Sequence, residues 1–510
     1  MTSSNHTAAD ARAAVAMAPA SRVARQPASQ WAVLAVVTVG TFMSTLDASI
    51  VNISLPAIAH AFGVPLSGTI EWVIIGYLVI IAALLLTVGR LGDLFGRVPL
   101  WLAGLVVFTA GSAISGMAPS LELLIAARAI QAIGGALILG NSLAILSDTF
   151  PAAVRGRALG INAIALALGA SAGPTLGGLI TEHLGWRWIF YVNVPIGLAA
   201  AIASWRVLSR AGRRGQGRLD PLGALLLGGG VAAVNLGLSF GQEWGWTSPR
   251  LVAMLALTSA ALTGAVLHER RASSPIVDLG LFRNRVFVSA LTSMTLAMLA
   301  LFAVSFLMPF YFEELRGFST ERSGLLLTSL SLTIAVVGPI AGTLSDRFGS
   351  RWLAPLGLAI LAFGLVALAR LDATSSTDEI IWPLVVAGLG QGLFLSPNSN
   401  TLFAATPAAE QGEASGLLQT GRVVGQSLSV AVAGAVFAHF GGAAAGATLI
   451  GLHVSAQAAQ LAATQQTFVD AFRAALLACA AFAALGVPIA LVRGSGGAGV
   501  RQGSASSDLD

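Results

Sequence analysis

Leu46-Asp47-Ala48-Ser49-Ile50-Val51-Asn52-Ile53-Ser54-Leu55-Pro56 closes an apolar run that begins at Trp31, so an acid sits inside a segment otherwise suited to hydrocarbon. A helix from about Trp31 to Ile58 has its middle near Ser44 or Thr45. At about 1.5 Å rise per residue, Asp47 then lies within roughly 5 Å of a bilayer midplane. A carboxyl at that depth costs on the order of 2.5–3.5 kcal/mol on insertion scales, and such groups are kept for a task. Desolvation works against the charged form. An acid that is neutral when dry and ionised when wet can carry a proton. The plainer alternative is a structural acid, hydrogen-bonded to a neighbouring helix.

The rest of the chain extends this hydropathy. Of 510 residues, 55% are hydrophobic and 10% charged, against about 25% charged in soluble domains; the mean hydropathy is +0.81. Runs long enough to span a bilayer fall at about 31–58, 71–91, 98–117, 121–147, 156–182, 188–208, 221–240, 250–267, 286–312, 322–344, 353–371, 380–404, 412–440 and 467–492. The expected fold class is therefore an all-α integral membrane protein of fourteen helices. An even number puts both termini on one side. There is no lysine, and of the 28 arginines twenty fall on the side of the N-terminus, six on the other and two (Arg128, Arg422) within spans. The positive-inside rule then places both termini in the cytoplasm, and the expected location is the plasma (inner) membrane. Residues 1–30 are Ala/Ser-rich without a leader-like apolar core and read as a disordered cytoplasmic tail; 493–510, Gly/Ser-rich, read likewise. The lone cysteine, Cys479, lies in an apolar run and has no intramolecular partner.

Two stretches recur. Gly89-Arg90-Leu91-Gly92-Asp93-Leu94-Phe95-Gly96 and Gly342-Thr343-Leu344-Ser345-Asp346-Arg347-Phe348-Gly349 share G-x-L-x-D-x-F-G at a step of 253. Pro151-Ala152-Ala153 with Gly156, Ala158 and Gly160 matches Pro407-Ala408-Ala409 with Gly412, Ala414 and Gly416 at 256; Gly134/Gly390 and Gly169/Gly425 keep that spacing. The organisation expected is 6+2+6. A six-helix bundle over 31–208 is followed by a basic loop, two inserted helices and a linker over 209–284, then a second bundle over 285–492. Pseudo-symmetric halves related by an axis along the membrane normal commonly build alternating-access transporters, with the site at their interface.

These residues resemble the major facilitator superfamily, and within it the fourteen-helix drug:proton antiporters of the multidrug efflux type, over nearly all of 31–492. Gly89, Arg90, Asp93, Gly96 and Arg97 resemble the family's cytoplasmic signature between the second and third helices, with Asp346 and Arg347 at the second copy. Glycines let the turn pack tightly, and Asp93 can meet Arg90, Arg97 or a helix N-terminus, so the resemblance implies gating. Leu94 and Val98 stand where the family usually has basic residues. In Arg128-Ala129-Ile130-Gln131, Arg128, Gln131, Gly135 and Ser142 share one face. In the family this arginine is associated with proton coupling near the first-helix carboxyl. Arg128 is therefore expected to tune Asp47 or stabilise its ionised form; the alternative is a snorkelling arginine.

Gly169, Gly173 and Gly177 line one face at four-residue spacing, leaving a groove for close helix approach, and Pro174 removes a backbone donor. With Gly178, the G-x-x-x-G-P-x-x-G-G string resembles the antiporter signature, which implies export over import. Trp186-Arg187-Trp188-Ile189-Phe190-Tyr191-Val192-Asn193 reads as an interfacial belt. Glu71 stands where the family pattern has a neutral amide; it is a second protonatable group or merely interfacial. Asn52, Gln131, Gln391, Asn398 and Arg422 are candidates for the substrate cavity, although polar stripes such as Gln391, Ser396, Asn398 and Asn400 also act as helix-packing glue. No catalytic triad, metal cluster or nucleotide loop stands out, so the expectation is a non-enzyme with no cofactor beyond a proton gradient. Its expected partners are amphipathic small molecules, protons and membrane lipid, not nucleic acid, and it is expected to work as a monomer. The alternatives are a lipid or amphipathic-metabolite exporter on the same scaffold, and a non-transporting membrane receptor or scaffold.

Overall fold

The computed structural model describes residues 30–64, 68–208, 220–244, 248–271, 278–407, 410–452 and 458–492. The expected tails, and most of the basic loop and linker around the inserted helices, lie outside the described residues. Every regular element described is helical. The first six helices are α1 (Gln30–Phe62), α2 (Trp72–Phe95), α3 (Arg97–Met117), α4 (Leu121–Thr149), α5 (Ala152–Leu184) and α6 (Trp188–Val207). Two more follow, α7 (Pro221–Trp244) and α8 (Pro249–Glu269). The last six are α9 (Arg285–Phe310), α10 (Thr320–Phe348), α11 (Leu353–Leu368), α12 (Thr377–Ala404), α13 (Gln411–His439) and α14 (Ala458–Leu491). Among the described residues eleven helices are long and apolar enough to cross a membrane. Shorter apolar segments at Thr69–Leu85, Pro221–Val234 and Leu353–Leu368 occupy the remaining expected spans.

Most expected boundaries lie within a few residues of the observed ones. Two differ. A short helix, Gly442–Leu452, precedes α14, which starts well before the expected residue 467. The last turn of α9 also does not fray: it continues as a π-helical turn, Tyr311–Leu315. Local signals set the ends. Ser120, Ser248, Ser319 and Ser376 each accept a hydrogen bond from the backbone N–H three residues on, and Ser376 forms a full capping box with Glu379. Gly96 and Gly349, at matching places in the two repeats, have φ of 94° and 82°, so the chain leaves α2 and α10 through a left-handed residue that a β-carbon would strain.

The repeat is visible in the helix crossings. A β-carbon on Gly111 of α3 would stand 2.6 Å from the Gln131 nitrogen of α4, and one on Gly364 of α11 would stand 2.7 Å from the Ala387 nitrogen of α12. Gly169 of α5 approaches α1 at the Leu46 nitrogen (3.1 Å), as Gly425 of α13 approaches α9 at the Leu299 nitrogen (3.2 Å). Small residues thus fix the same backbone contacts twice. The inserted α7 lies against α2 of the first half and α13 of the second, and α8 packs outside it. At their ends His268 Nε2 lies 2.8 Å from Asp220 Oδ2. Large apolar side chains such as Val106, Leu257, Leu332 and Phe363 are exposed around the bundle, the surface a lipid-facing helix presents.

Candidate functional site: a buried carboxylate bed and a seam between the halves

Asp47 stands mid-way along α1 and is fully buried. Its Oδ2 accepts from Arg128 Nη1 of α4 at 2.6 Å, and its Oδ1 accepts from Gln131 Nε2 (2.8 Å) and from Asn193 Nδ2 of α6 (2.8 Å). Arg128, itself 1% exposed, is held by three further contacts. Its Nη1 donates to Gln131 Oε1 at 2.7 Å, its Nε donates to the Val73 carbonyl of α2 at 3.3 Å, and its guanidinium lies 4.0 Å from the centre of the Tyr77 ring. Asn193 is steadied in turn by Ser112 Oγ, which donates to the Phe190 carbonyl.

Each of the three side chains hydrogen-bonded to Asp47 donates to it, and one of them, Arg128, is a cation. The lone acid of the sequence reading is therefore one half of a buried, charge-assisted pair supplied by four helices of one bundle. Arg128 does not snorkel. Breaking such a pair by losing one partner is costly, because the other charge stays stranded without water. Asn193 and Tyr77 were not singled out by sequence reasoning. Asn193 sits in a string whose aromatics signal an interfacial belt, and α6 turns it inward because its first turn, Trp188–Tyr191, is offset at Val192 from the helix beginning at Asn193.

The glycine string from Gly169 to Gly178 serves two contacts. Gly169, Gly173 and Gly177 face α1, with β-carbon positions 2.8 Å from the Phe42 carbonyl oxygen at Gly169 and beside Ser49 and Ile50 at the others. Ser49 Oγ also donates to the Gly169 carbonyl at 3.1 Å. Gly178 faces the other half, where a β-carbon would lie 2.5 Å from the Thr320 carbonyl oxygen, and Gly324 of α10 abuts the Pro174 carbonyl. Ser171 Oγ donates to the Ser331 carbonyl at 2.9 Å, and Thr175 and Thr328 share a hydroxyl hydrogen bond. The same helices stand apart at their other ends. Gly160 lies five turns from Gly178 on the same face of α5, and among the described residues neither it nor Gly338 of α10 has an atom within 4 Å of its β-carbon position. The seam is closed toward Leu184 and loose toward Gly96. Glu71, buried at the start of α2, adds a closed contact at the same end against Gly434 of α13.

The remaining candidates are scattered. Arg97 Nη1 meets Asp148 Oδ2 of α4 at 2.6 Å and the Ala144 carbonyl at 3.3 Å, a partly exposed link between the Gly96 turn and α4. The side chains of Asp93 and Asp346 lie outside the described residues. Gly89 has open space around it, Arg90 is half-buried and Arg347 exposed. In α12, Asn398 Nδ2 donates to the Ala290 carbonyl of α9 (2.9 Å) and Ser396 Oγ to the Gly338 carbonyl of α10 (3.0 Å), so both are helix-packing contacts. Gln391 is buried with neither amide atom paired among the described residues, and the Asn52 side-chain oxygen is likewise unpaired. Arg422 of α13 is half-buried and donates to Gln419 Oε1 of its own helix at 3.3 Å. Among the described residues no group of His, Cys, Asp and Glu is arranged to hold a metal ion.

Comparison with known proteins agrees with this architecture. The Major Facilitator Superfamily profile matches residues 37–430 and 316–502. The riboflavin transporter RibZ of Clostridioides difficile (strain 630) is 35% identical over 412 residues, 81% of this chain and 88% of that protein. The multidrug resistance protein Stp of Mycobacterium tuberculosis is 34% identical over 400 residues, 78% of this chain and 74% of that one. The crystal structure of a bacterial homolog to the human lysosomal transporter Spinster, in an inward-facing and unoccupied conformation, superposes with a TM-score of 0.64 at 15% identity, covering 91% of this chain and 96% of that one. Sequence, helix crossings and these matches together make the chain a multi-pass membrane transporter rather than an enzyme, a member of the Major Facilitator Superfamily.

Proposed function

We propose that the chain is a proton-coupled antiporter of the fourteen-helix drug:proton type, exporting hydrophobic or amphipathic small molecules across the plasma membrane by alternating access. The observation that carries this reading is the Asp47–Arg128 pair, sealed inside one bundle on donors from α4 and α6. The arginine asymmetry puts the Gly96 end in the cytoplasm, so the described conformation is open inward. In this reading a proton that reaches Asp47 neutralises it and releases Arg128 from its counter-charge. The four helices holding the two groups then repack. Because α1 carries Asp47 and packs on the glycine face of α5, while the reverse face of α5 makes the seam with α10, repacking at the acid moves the seam. Loss of the proton to the cytoplasm restores the pair. A membrane potential of 100 mV adds about 2.3 kcal/mol per charge moved, enough to bias the cycle. No cofactor enters, and the protomer acts alone.

One relative named above carries riboflavin in its name and another multidrug resistance, so riboflavin is a natural first probe beside a fluorescent dye. The decisive experiment uses everted vesicles carrying the full chain or its Asp47→Asn variant. The expected result is pH-gradient-driven dye or riboflavin movement with the parent and none with the variant, at equal protein level. Gradient-dependent transport that survives in the variant removes Asp47 from the mechanism.

A further inference from the structure

The molecule buries a second set of carboxyls, far from Asp47 in the chain and at the closed end of the seam. The π-helical turn Tyr311–Leu315 continues α9 past Phe310 and carries Glu313 and Glu314 into the protein. Glu314 is 1% exposed, and neither of its carboxyl oxygens has a hydrogen-bond partner among the described residues. Glu313 Oε2 accepts from Thr320 Oγ1 at 3.2 Å, and its Oε1 is buried without a partner. From the other half, Glu182 Oε2 of α5 accepts from the Thr320 backbone N–H at 3.1 Å. Thr320, whose carbonyl abuts Gly178, is therefore shared by one carboxyl from each half.

The nearby charges are engaged elsewhere. Arg316 donates to Tyr311 Oη (3.3 Å) and to the Ser375 carbonyl. Arg322 lies 3.9 Å from the centre of the Phe318 ring and reaches Thr377 Oγ1. Arg473 donates to the Ala369 carbonyl and sits 3.6 Å from Asp470. Asp372 accepts from Thr374, and His183 lies 3.4 Å from Glu321. Aromatic rings wall the turn, with Tyr311 stacked on Phe472 and Phe312 on Phe318. A carboxylate at Glu314, with no donor or cation against it among the described residues, or at Glu313, with one hydroxyl donor, is far costlier than the neutral acid.

We propose that Glu313 and Glu314 form a second proton-binding site, which holds a proton while the α5–α10 seam is closed and yields it to the medium on the Leu184 side when the seam parts. Parting draws Thr320 away from Gly178 and Glu182 and wets the pair. The ionised pair then repels Glu182 and resists closure. Acid on that side favours the closed seam and alkali the open one. The site shares no residue with the Asp47 bed and operates whether or not Asp47 couples transport.

The test attaches spin labels at Leu184→Cys and Thr374→Cys, both exposed and on opposite halves, in the full chain carrying Cys479→Ala and reconstituted in lipid nanodiscs. Distances are read by double electron–electron resonance from pH 5 to pH 9. The parent is expected to pass from a short to a long distance as pH rises, and Glu313→Gln/Glu314→Gln to stay short throughout. The exposed Glu182→Gln variant, which asks little of the fold, moves the parent's transition to higher pH by half a unit or more. Asp47→Asn, which removes the charge of the core bed, shifts the starting seam distance but keeps its dependence on pH, and adding Glu313→Gln/Glu314→Gln to it removes that dependence. A pH dependence lost in Asp47→Asn alone also overturns the proposal. A parent distance that ignores pH, a double variant that tracks the parent, or an unmoved Glu182→Gln transition each overturns the proposal.

Discussion

The two halves share a scaffold and differ in what they place at its centre. Positions matching Asp47, Arg128 and Gln131 at the repeat steps of 253 and 256 are Ala300, Leu384 and Ala387, all fully buried. Gln131 and Ala387 even sit over equivalent glycines, Gly111 and Gly364. The same backbone crossing thus accommodates a charged hydrogen-bonded network in one half and plain apolar packing in the other. The second copy makes this crossing without the charges, so the crossing itself does not require them. That is the strongest structural reason to look for work, not stability, in the first copy.

Copying the second half into the first should have the largest effect. Arg128→Leu alone leaves Asp47 buried without its cation, a loss of about 3–5 kcal/mol, and is expected to lower both thermal stability and yield while abolishing gradient-driven transport. The triple change Asp47→Ala, Arg128→Leu and Gln131→Ala reproduces the second half's core. It should recover most of the thermal midpoint lost by Arg128→Leu yet leave transport absent. A triple variant as unstable as the single one would show that the first half needs its charges to fold and would end the comparison.

Next in size are the shared crossings. Gly169→Val and Gly425→Val force a side chain against the backbone of α1 and α9 respectively, each expected to cost about 1–3 kcal/mol by overpacking. Scanning fluorimetry should find similar shifts for both, and a difference well beyond that range would mean the pseudo-symmetry is only geometric. Gly178→Val acts on the seam rather than within a half. It should slow transport at least tenfold while moving the melting point less than Gly169→Val does, since it opposes closure and not folding.

The smallest effects belong to the surface. Burial pushes the Asp220 carboxyl up, but hydrogen bonds from the Gly223 N–H and His268, with the charge of His268, prevail and hold it below the ordinary aspartate range. A carboxyl held low stabilises the fold at neutral pH and loses that contribution as pH falls through its folded value. Asp220→Asn should therefore narrow the stability difference between neutral and acid pH, by an amount near the detection limit. Arg97→Gln, which removes an ion pair to a well-exposed Asp148, should change stability by less than about 1 kcal/mol; any larger effect on transport rate would mark the turn as part of the gate.

Much of the scaffold was legible in one dimension. Hydropathy located the spans because lipid imposes it residue by residue, and the G-x-L-x-D-x-F-G recurrence exposed the duplication because the same turn with a left-handed glycine is made twice, at Gly96 and Gly349. The site was half legible. Asp47 and Arg128 stood out as charges in apolar runs, but their pairing came through the resemblance. Asn193 was hidden among belt aromatics, and Tyr77 looked like ordinary core. Glu313 and Glu314 escaped notice because an apolar run was read as ending at Phe312, whereas a π-turn carried the helix onward. Asn398 and Ser396 were legible only as an ambiguity: a polar stripe is equally suited to lining a cavity or gluing helices, and their bonds to carbonyls of α9 and α10 show the packing role without touching the other.

The placement of α7 makes the two flanks of the boundary between the bundles unequal. By leaning on α2 and α13 together, with α8 behind it, the inserted pair fences one flank of the boundary between the bundles. Among the described residues the opposite flank, along α5 and α10, has no such screen and turns Leu168, Leu176, Leu325 and Leu332 outward. The boundary between the bundles is therefore sheathed by a helix pair along one edge and bordered by bare leucines along the other.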